Sequence, residues 1–242
     1  MSGFYALREN YDDVLDRIRS SCLAHQRDPA TVALLAVSKT FEADAVLQLA
    51  GVGQRMFGEN YLQEALDKIN DYQARRPDLP LEWHFIGPIQ SNKTRPIATR
   101  FAWVHSVERE KIAQRLSEQR PPELAPLNVC VQVNISGEAS KSGCPPQQVA
   151  ALARQVARLP RLRLRGLMAI PEPSDDPQRQ REPYRRLRQL FESLRAELPT
   201  LDTLSIGMSA DLDAAIAEGA TLVRVGTALF GARPRRSVSA GL

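Results

Sequence analysis

Residues 202–227 read DTLSIGMSADLDAAIAEGATLVRVGT. An apolar run at 202–206, a helical stretch at 209–218 and a second apolar run at 221–225 make a strand–helix–strand unit. The same alternation recurs toward the amino end. Further strands are expected at 162–170, 127–134, 102–106, 82–86, 54–57 and 32–38, separated by helical stretches near 178–197, 146–158, 108–119, 91–100, 60–74 and 42–49. The Val-Ala-Leu-Leu-Ala-Val run at 32–37 is apolar at every position, as a strand buried on both faces should be. That makes eight strands, seven of them followed by a helix. Repeated βα units imply a parallel sheet with helices outside. Eight of them in 242 residues fit a closed TIM-type (β/α)8 barrel better than an open sheet. Ahead of the first strand, residues 4–25 predict an extra N-terminal amphipathic helix with a stripe of Leu7, Tyr11, Val14, Leu15, Ile18 and Cys22.

Composition narrows the class. With 43% hydrophobic and 25% charged residues the chain can bury a core and is not mainly disordered. Mean hydropathy is −0.31 and no apolar run approaches the ~18 residues of a membrane span. The start, MSGFYALREN, lacks a basic region followed by an apolar one, so no signal peptide is expected. Three cysteines without CxxC spacing argue against a disulfide framework or zinc site and suit a cytoplasmic protein. The three histidines also lack metal-ligand spacing. Net charge is +4, too mild to imply nucleic acid. The arginines at 179, 181, 185, 186 and 188 form a basic helix face, expected to be solvated because only Tyr184 accompanies it as an aromatic. No composition break divides the chain, so residues 1–242 are expected to form one domain. A Pro-rich charged loop is expected at 171–183, with 234–242 as a flexible tail.

In such barrels the working residues stand at the carboxyl ends of the strands. Lys39 follows the first strand and shares a face with Leu35 and Val37. A buried ammonium is costly unless paired or deprotonated. It therefore either snorkels to a rim or pairs with Glu59 or Asp211, or it is desolvated and able to condense with an aldehyde. The loops after strands seven and eight are the usual phosphate site of the fold. Here they carry Ser205, Gly207 and Ser209, the last able to cap a helix, and then Gly226 and Thr227. Arg224 shares parity with Leu222 and Gly226 and should point into the barrel mouth. An amine, a phosphate cradle and an inward cation together complement pyridoxal 5′-phosphate (PLP).

The stretches AVSKT (36–40), FGENYLQEALDKI (57–69), WHFIGPIQSNK (83–93), VHSVEREKIAQRL (104–116), VQVNISGEASKSG (131–143), RGLMAIPE (165–172) and the run from Leu204 to Gly231 resemble the pyridoxal phosphate homeostasis protein family. The match spans about residues 34 to 233. The resemblance implies the barrel domain of alanine racemase, Lys39 as the Schiff-base lysine, and Ser205, Gly207, Ser209, Gly226 and Thr227 around the phosphate. It also implies Arg224 at the pyridine nitrogen and Asn60, His84 and Met168 around the ring. Lys141 matches a family lysine to which no catalytic role is assigned.

An arginine at the ring nitrogen is a permanent cation without an acceptor, which weakens PLP as an electron sink. Racemisation further needs an acid/base group opposite the lysine, supplied in alanine racemase by a second domain; once the barrel is assigned, no residues of these 242 are expected to be left to build one. The expectation is a monomeric, cytoplasmic PLP carrier with little or no turnover, whose recipients are PLP-dependent apoenzymes and which binds neither nucleic acid nor membrane. A low-activity PLP-dependent amino-acid racemase is the alternative, and a cofactor-free phosphosugar isomerase is a third reading.

Overall fold

The computed structural model describes residues 2–137 and 142–231. Lys141 and the 234–242 tail lie outside the described residues. Eight parallel strands close in sequential order, β1 (Ala33–Val37), β2 (Met56–Glu59), β3 (Glu82–Phe85), β4 (Trp103–Val107), β5 (Leu127–Gln132), β6 (Leu162–Met168), β7 (Thr203–Ser205) and β8 (Leu222–Val225). The ring shuts where β1 pairs with β8, in a register that sets Leu35 beside Arg224. This is the TIM-type barrel expected from the alternation.

Helices α2 (Ala43–Gly51), α3 (Leu62–Arg75), α4 (Thr94–Arg100), α5 (Glu110–Gln119), α6 (Pro146–Ala157), α7 (Pro177–Arg195), α8 (Leu212–Ala217) and α9 (Thr227–Phe230) follow the strands in turn. Among the described residues every strand is thus followed by a helix. The one missed from sequence, α9, is too short to show a 3.6-residue period. Helix α7 starts earlier than the expected loop allows. Asp176 caps it through the N–H groups of Gln178 and Arg179, and Pro177 opens it where a missing N–H costs nothing. Its interior Pro183 forfeits one backbone bond, which the burial of Tyr184, Leu187, Phe191 and Leu194 offsets.

The extra helix α1 (Ser2–Ala24) packs on α2, α8 and α9. Leu7, Val14, Ile18 and Cys22 are buried as the stripe requires, but Leu15 is 38% exposed because it lies at the stripe's solvent edge. No helix among the described residues is long and apolar enough to cross a membrane.

The main apolar core lies between strands and helices, through residues such as Val104, Val129, Ile112 and Val149. The lumen is different. His105 on β4 bonds Ser205 on β7, two strands that are not sheet neighbours, so the contact crosses the barrel. Where such a core is usually Val, Ile and Leu, the lumen here holds His84, Trp103, His105, Cys130, Met168, Ser205 and Arg224, all buried. Trp103 is in this inner cluster with Cys130 and Met168.

Candidate functional site at the carboxyl end of the barrel

A cavity of about 290 Å³ opens at the strands' carboxyl ends. From β1 and its turn come Val37, Lys39 and Phe41; Asn60 follows β2, Ile86 follows β3 and Ile170 follows β6. The last two loops add Met208, Ser209, Ala210, Gly226 and Thr227, and Arg224 forms part of the wall. Phe41 closes one side by stacking on Phe230 at 4.8 Å.

Lys39 is half-buried, in a turn that α3 holds from outside. The next residue, Thr40, has φ +70°, a strained conformation for a β-branched side chain. Its N–H donates to Glu64, while Lys68 Nζ donates to the Ser38 carbonyl at 2.7 Å. Ser38 Oγ donates to Glu59 at 2.6 Å, and Lys68 bonds the same carboxylate at 2.6 Å. Burial outweighs the Lys68 ammonium and raises the Glu59 carboxyl above its ordinary range. Of the two acids proposed as partners for Lys39, Glu59 is therefore held by Ser38 and Lys68. The other, Asp211, accepts from Tyr184 Oη at 2.7 Å and from the Met208 N–H at 2.6 Å.

That last contact corrects one expectation. Residues 208–211 form a turn and α8 begins only at Leu212, so Ser209 is not its cap. Ser209 borders the cavity instead. Gly207 makes the preceding turn with φ +90°, and a Cβ there would lie 2.5 Å from Ala215 Cβ. Helix α1 reaches this loop too. Arg17 donates to the Ser209 carbonyl at 2.6 Å and pairs with Asp213 at 2.5 Å, while Asn10 Nδ2 donates to the Leu229 carbonyl at 2.9 Å. Nothing in the spacing of Arg17 pointed to this brace.

Arg224 is 3% exposed. Its Nη1 donates to the backbone carbonyl and Oγ of Ser205, and its Nη2 to the Ala169 carbonyl at 3.0 Å. No carboxylate among the described residues forms a salt bridge with it, an expensive state for a buried cation. Asn60 Oδ1 is likewise buried without a hydrogen-bond partner. Both facts mark the cavity as a polar site with unmet contacts.

Of the ten residues singled out from sequence, Lys39, Asn60, Ser209, Arg224, Gly226 and Thr227 border the cavity. Gly207 shapes the loop beneath it. His84, Met168 and Ser205 do not border it. His84 stacks on Trp103 at 5.3 Å, Met168 packs against Trp103 and Cys130, and the Ser205 hydroxyl is taken up by Arg224 and His105. These three point inward as their parity requires, but in a deeper layer of the lumen. No group of three His, Cys, Asp or Glu among the described residues could hold a metal ion.

Burial pushes both His84 and His105 below the ordinary imidazole range, His105 further because His84 and Arg224 add to it. Folded pKa values below the unfolded one mean that the unfolded chain takes up protons first as pH falls. Stability should hold above about pH 6.5 and drop below it, by up to about 1.4 kcal/mol per pH unit for each histidine. Urea unfolding at pH 7.0 and 5.5 measures this; equal stabilities would contradict neutral, buried imidazoles.

A family model described as alanine racemase, N-terminal domain, matches residues 6–234. A pyridoxal phosphate homeostasis protein of Pseudomonas aeruginosa is 64% identical over 227 residues, covering 94% of this chain and 96% of its own. The chain belongs to the pyridoxal phosphate homeostasis protein family. The Vibrio cholerae member of this family is 52% identical over 228 residues, covering 94% of this chain and 97% of its own. The solved structure of PipY from Synechococcus elongatus PCC7942 with PLP bound superposes with a TM-score of 0.75 at 36% identity, over 90% of this chain and 100% of PipY.

Proposed function

We propose that this protein binds PLP at the carboxyl end of the barrel, holds it as a Schiff base on Lys39, and serves PLP homeostasis with little or no turnover. The observation that carries the reading is the convergence of Lys39, Arg224 and the unpartnered Asn60 Oδ1 on one cavity. The names of its relatives, and the PLP bound to PipY, support it. PLP supplies an aldehyde, a phosphate dianion and a conjugated ring that can stabilise a carbanion.

The residues fit those groups. Lys39 offers the primary amine. The Ser209 and Thr227 hydroxyls, on the last two loops, offer donors for the phosphate. Arg224 presents a cation to the ring nitrogen and keeps a proton off it, and Asn60 contributes an amide. Val37, Phe41, Ile86 and Ile170 exclude water from the ring. Lys39 and Arg224 are the ionisable groups bordering the cavity among the described residues, which supports a holder rather than a racemase. The same reading takes the protein as cytoplasmic and monomeric, with PLP-dependent apoenzymes as recipients and no nucleic-acid partner.

Titration with PLP should produce a visible absorbance band that borohydride bleaches, leaving one added cofactor on the peptide that contains Lys39. An adduct on another lysine would refute the assignment. Sustained turnover of an amino acid, abolished by Lys39→Ala, would replace the holder with a racemase. Arg17→Ala should weaken PLP by about two- to five-fold, since the lost brace is half-exposed and worth little more than about 1 kcal/mol. The same titration measures it; an unchanged affinity would mean that the loop holds its shape without α1. Arg186→Ala, on the exposed side of α7, is the control and should change nothing.

A further inference from the structure

A single file of hydrogen bonds runs through the lumen from one end of the barrel to the other. At the amino end of β3, Glu82 Oε1 lies 2.9 Å from His84 Nε2. His84 Nδ1 lies 2.9 Å from His105 Nε2, and His105 Nδ1 lies 2.8 Å from Ser205 Oγ. Ser205 Oγ then accepts from Arg224 Nη1 at 2.8 Å. The Glu82 side chain is 41% exposed, whereas both imidazoles, Ser205 and Arg224 are buried.

The chemistry of the two ends fixes every hydrogen between them. A guanidinium can only donate and a carboxylate can only accept, so with both imidazoles neutral His84 Nε2 carries a proton toward Glu82, and Ser205 accepts from Arg224 and gives its own proton to His105 Nδ1. His105 therefore carries its proton on Nε2 and donates to His84 Nδ1. His84, in turn, carries its proton on Nε2 and donates to the Glu82 carboxylate. Each neutral imidazole then has one donor and one acceptor in use, and no other arrangement of two neutral imidazoles beside a Glu82 carboxylate satisfies all four contacts. The depressed imidazole pKa values agree. Because arginine keeps its proton, the file transmits polarisation rather than protons. Arg165 steadies its outer end, by its charge near Glu82 and by stacking over Trp103 at 4.6 Å.

The geometry points to a positioning relay: Glu82, His84, His105 and Ser205 hold the Arg224 guanidinium aimed at the cavity and bring it a counter-charge from the opposite end of the barrel. Arg224 has no salt-bridge partner of its own among the described residues, and this file is its hydrogen-bonded connection to a carboxylate. Glu82 thus acts on the site without touching it.

The chain has three histidines, so nitrogen NMR of the full-length protein resolves the imidazoles directly. His84 and His105 should both be neutral at pH 7 with the proton on Nε2. A proton on Nδ1 of either, or an imidazolium, overturns the relay. The second arm rests on the proposed PLP site. Adding PLP should move the His105 and His84 nitrogen resonances in the wild type, and Ser205→Ala should abolish the movement at His84. Glu82→Gln keeps an acceptor but loses the charge, and should weaken PLP by about three- to ten-fold. Unchanged affinity in both variants, with the Lys39 adduct still forming, overturns the relay and leaves the PLP reading standing. Failure of the wild type to bind PLP overturns that reading, and the tautomers still decide the relay.

Discussion

Lys39→Ala is expected to abolish the borohydride-stable adduct and to weaken PLP by about 100-fold or more, the largest functional effect of any single change. The substitution deletes the one primary amine that borders the cavity among the described residues. Arg224, Ser209, Thr227 and Asn60 remain, so binding should become weak and reversible rather than vanish. The fold should survive. Lys39 is half-buried in a turn whose backbone is fixed by its neighbours, Ser38 through Lys68 and Thr40 through Glu64. Thermal unfolding should therefore change little while the spectral titration changes greatly. A variant that keeps a reducible adduct, or binds PLP within a few-fold of wild type, would remove Lys39 from the role assigned to it.

Gly166→Ala is expected to be the most damaging small change to stability, about 3 kcal/mol or more. Gly166 pairs with Thr203 across β6 and β7, and a Cβ built on it would lie 1.6 Å from the Thr203 carbonyl oxygen. Backbone cannot rotate aside as a side chain does. The Asp202 N–H donates to the Arg165 carbonyl at 2.8 Å, pinning β7 at the adjacent position. Relief must come from parting the two strands, with the loss of ladder bonds and of lumen packing. Urea unfolding would register the loss as a lower midpoint; a cost below about 1 kcal/mol would show that the ring opens there without strain.

The barrel was legible because each strand carries its own local signal. β1 and β8 announced themselves as apolar runs, and strand parity aimed Lys39 and Arg224 at the cavity. Parity gives the face of a residue but not its depth. His84, Met168 and Ser205 share the inward face, and the stagger of neighbouring strands sets them a layer below the cavity. Ser209 was misjudged as a helix cap because Asp211, two residues later, takes the turn instead. The arginine face of α7 was not wholly free either. Arg181, Arg185 and Arg188 converge on the buried Glu218, a pairing across 30 residues or more that no local pattern announces. The lumen relay was hidden for the same reason, since its members come from four strands.

The brace of α1 on the last loops, together with the β1–β8 seam, has a consequence for biosynthesis. Helix α1 precedes β1 in the chain but has most of its contacts on α8 and α9, which follow β7 and β8. Until those segments emerge, the nascent polypeptide carries β1 with one edge unpaired and α1 with only its contacts to α2 and the turn before β1. Such distant pairings make folding slow and nearly post-translational. On the proposed function, PLP would therefore be captured only once β8 has closed the ring, and a stop before β8 would leave the barrel open and its cavity incomplete.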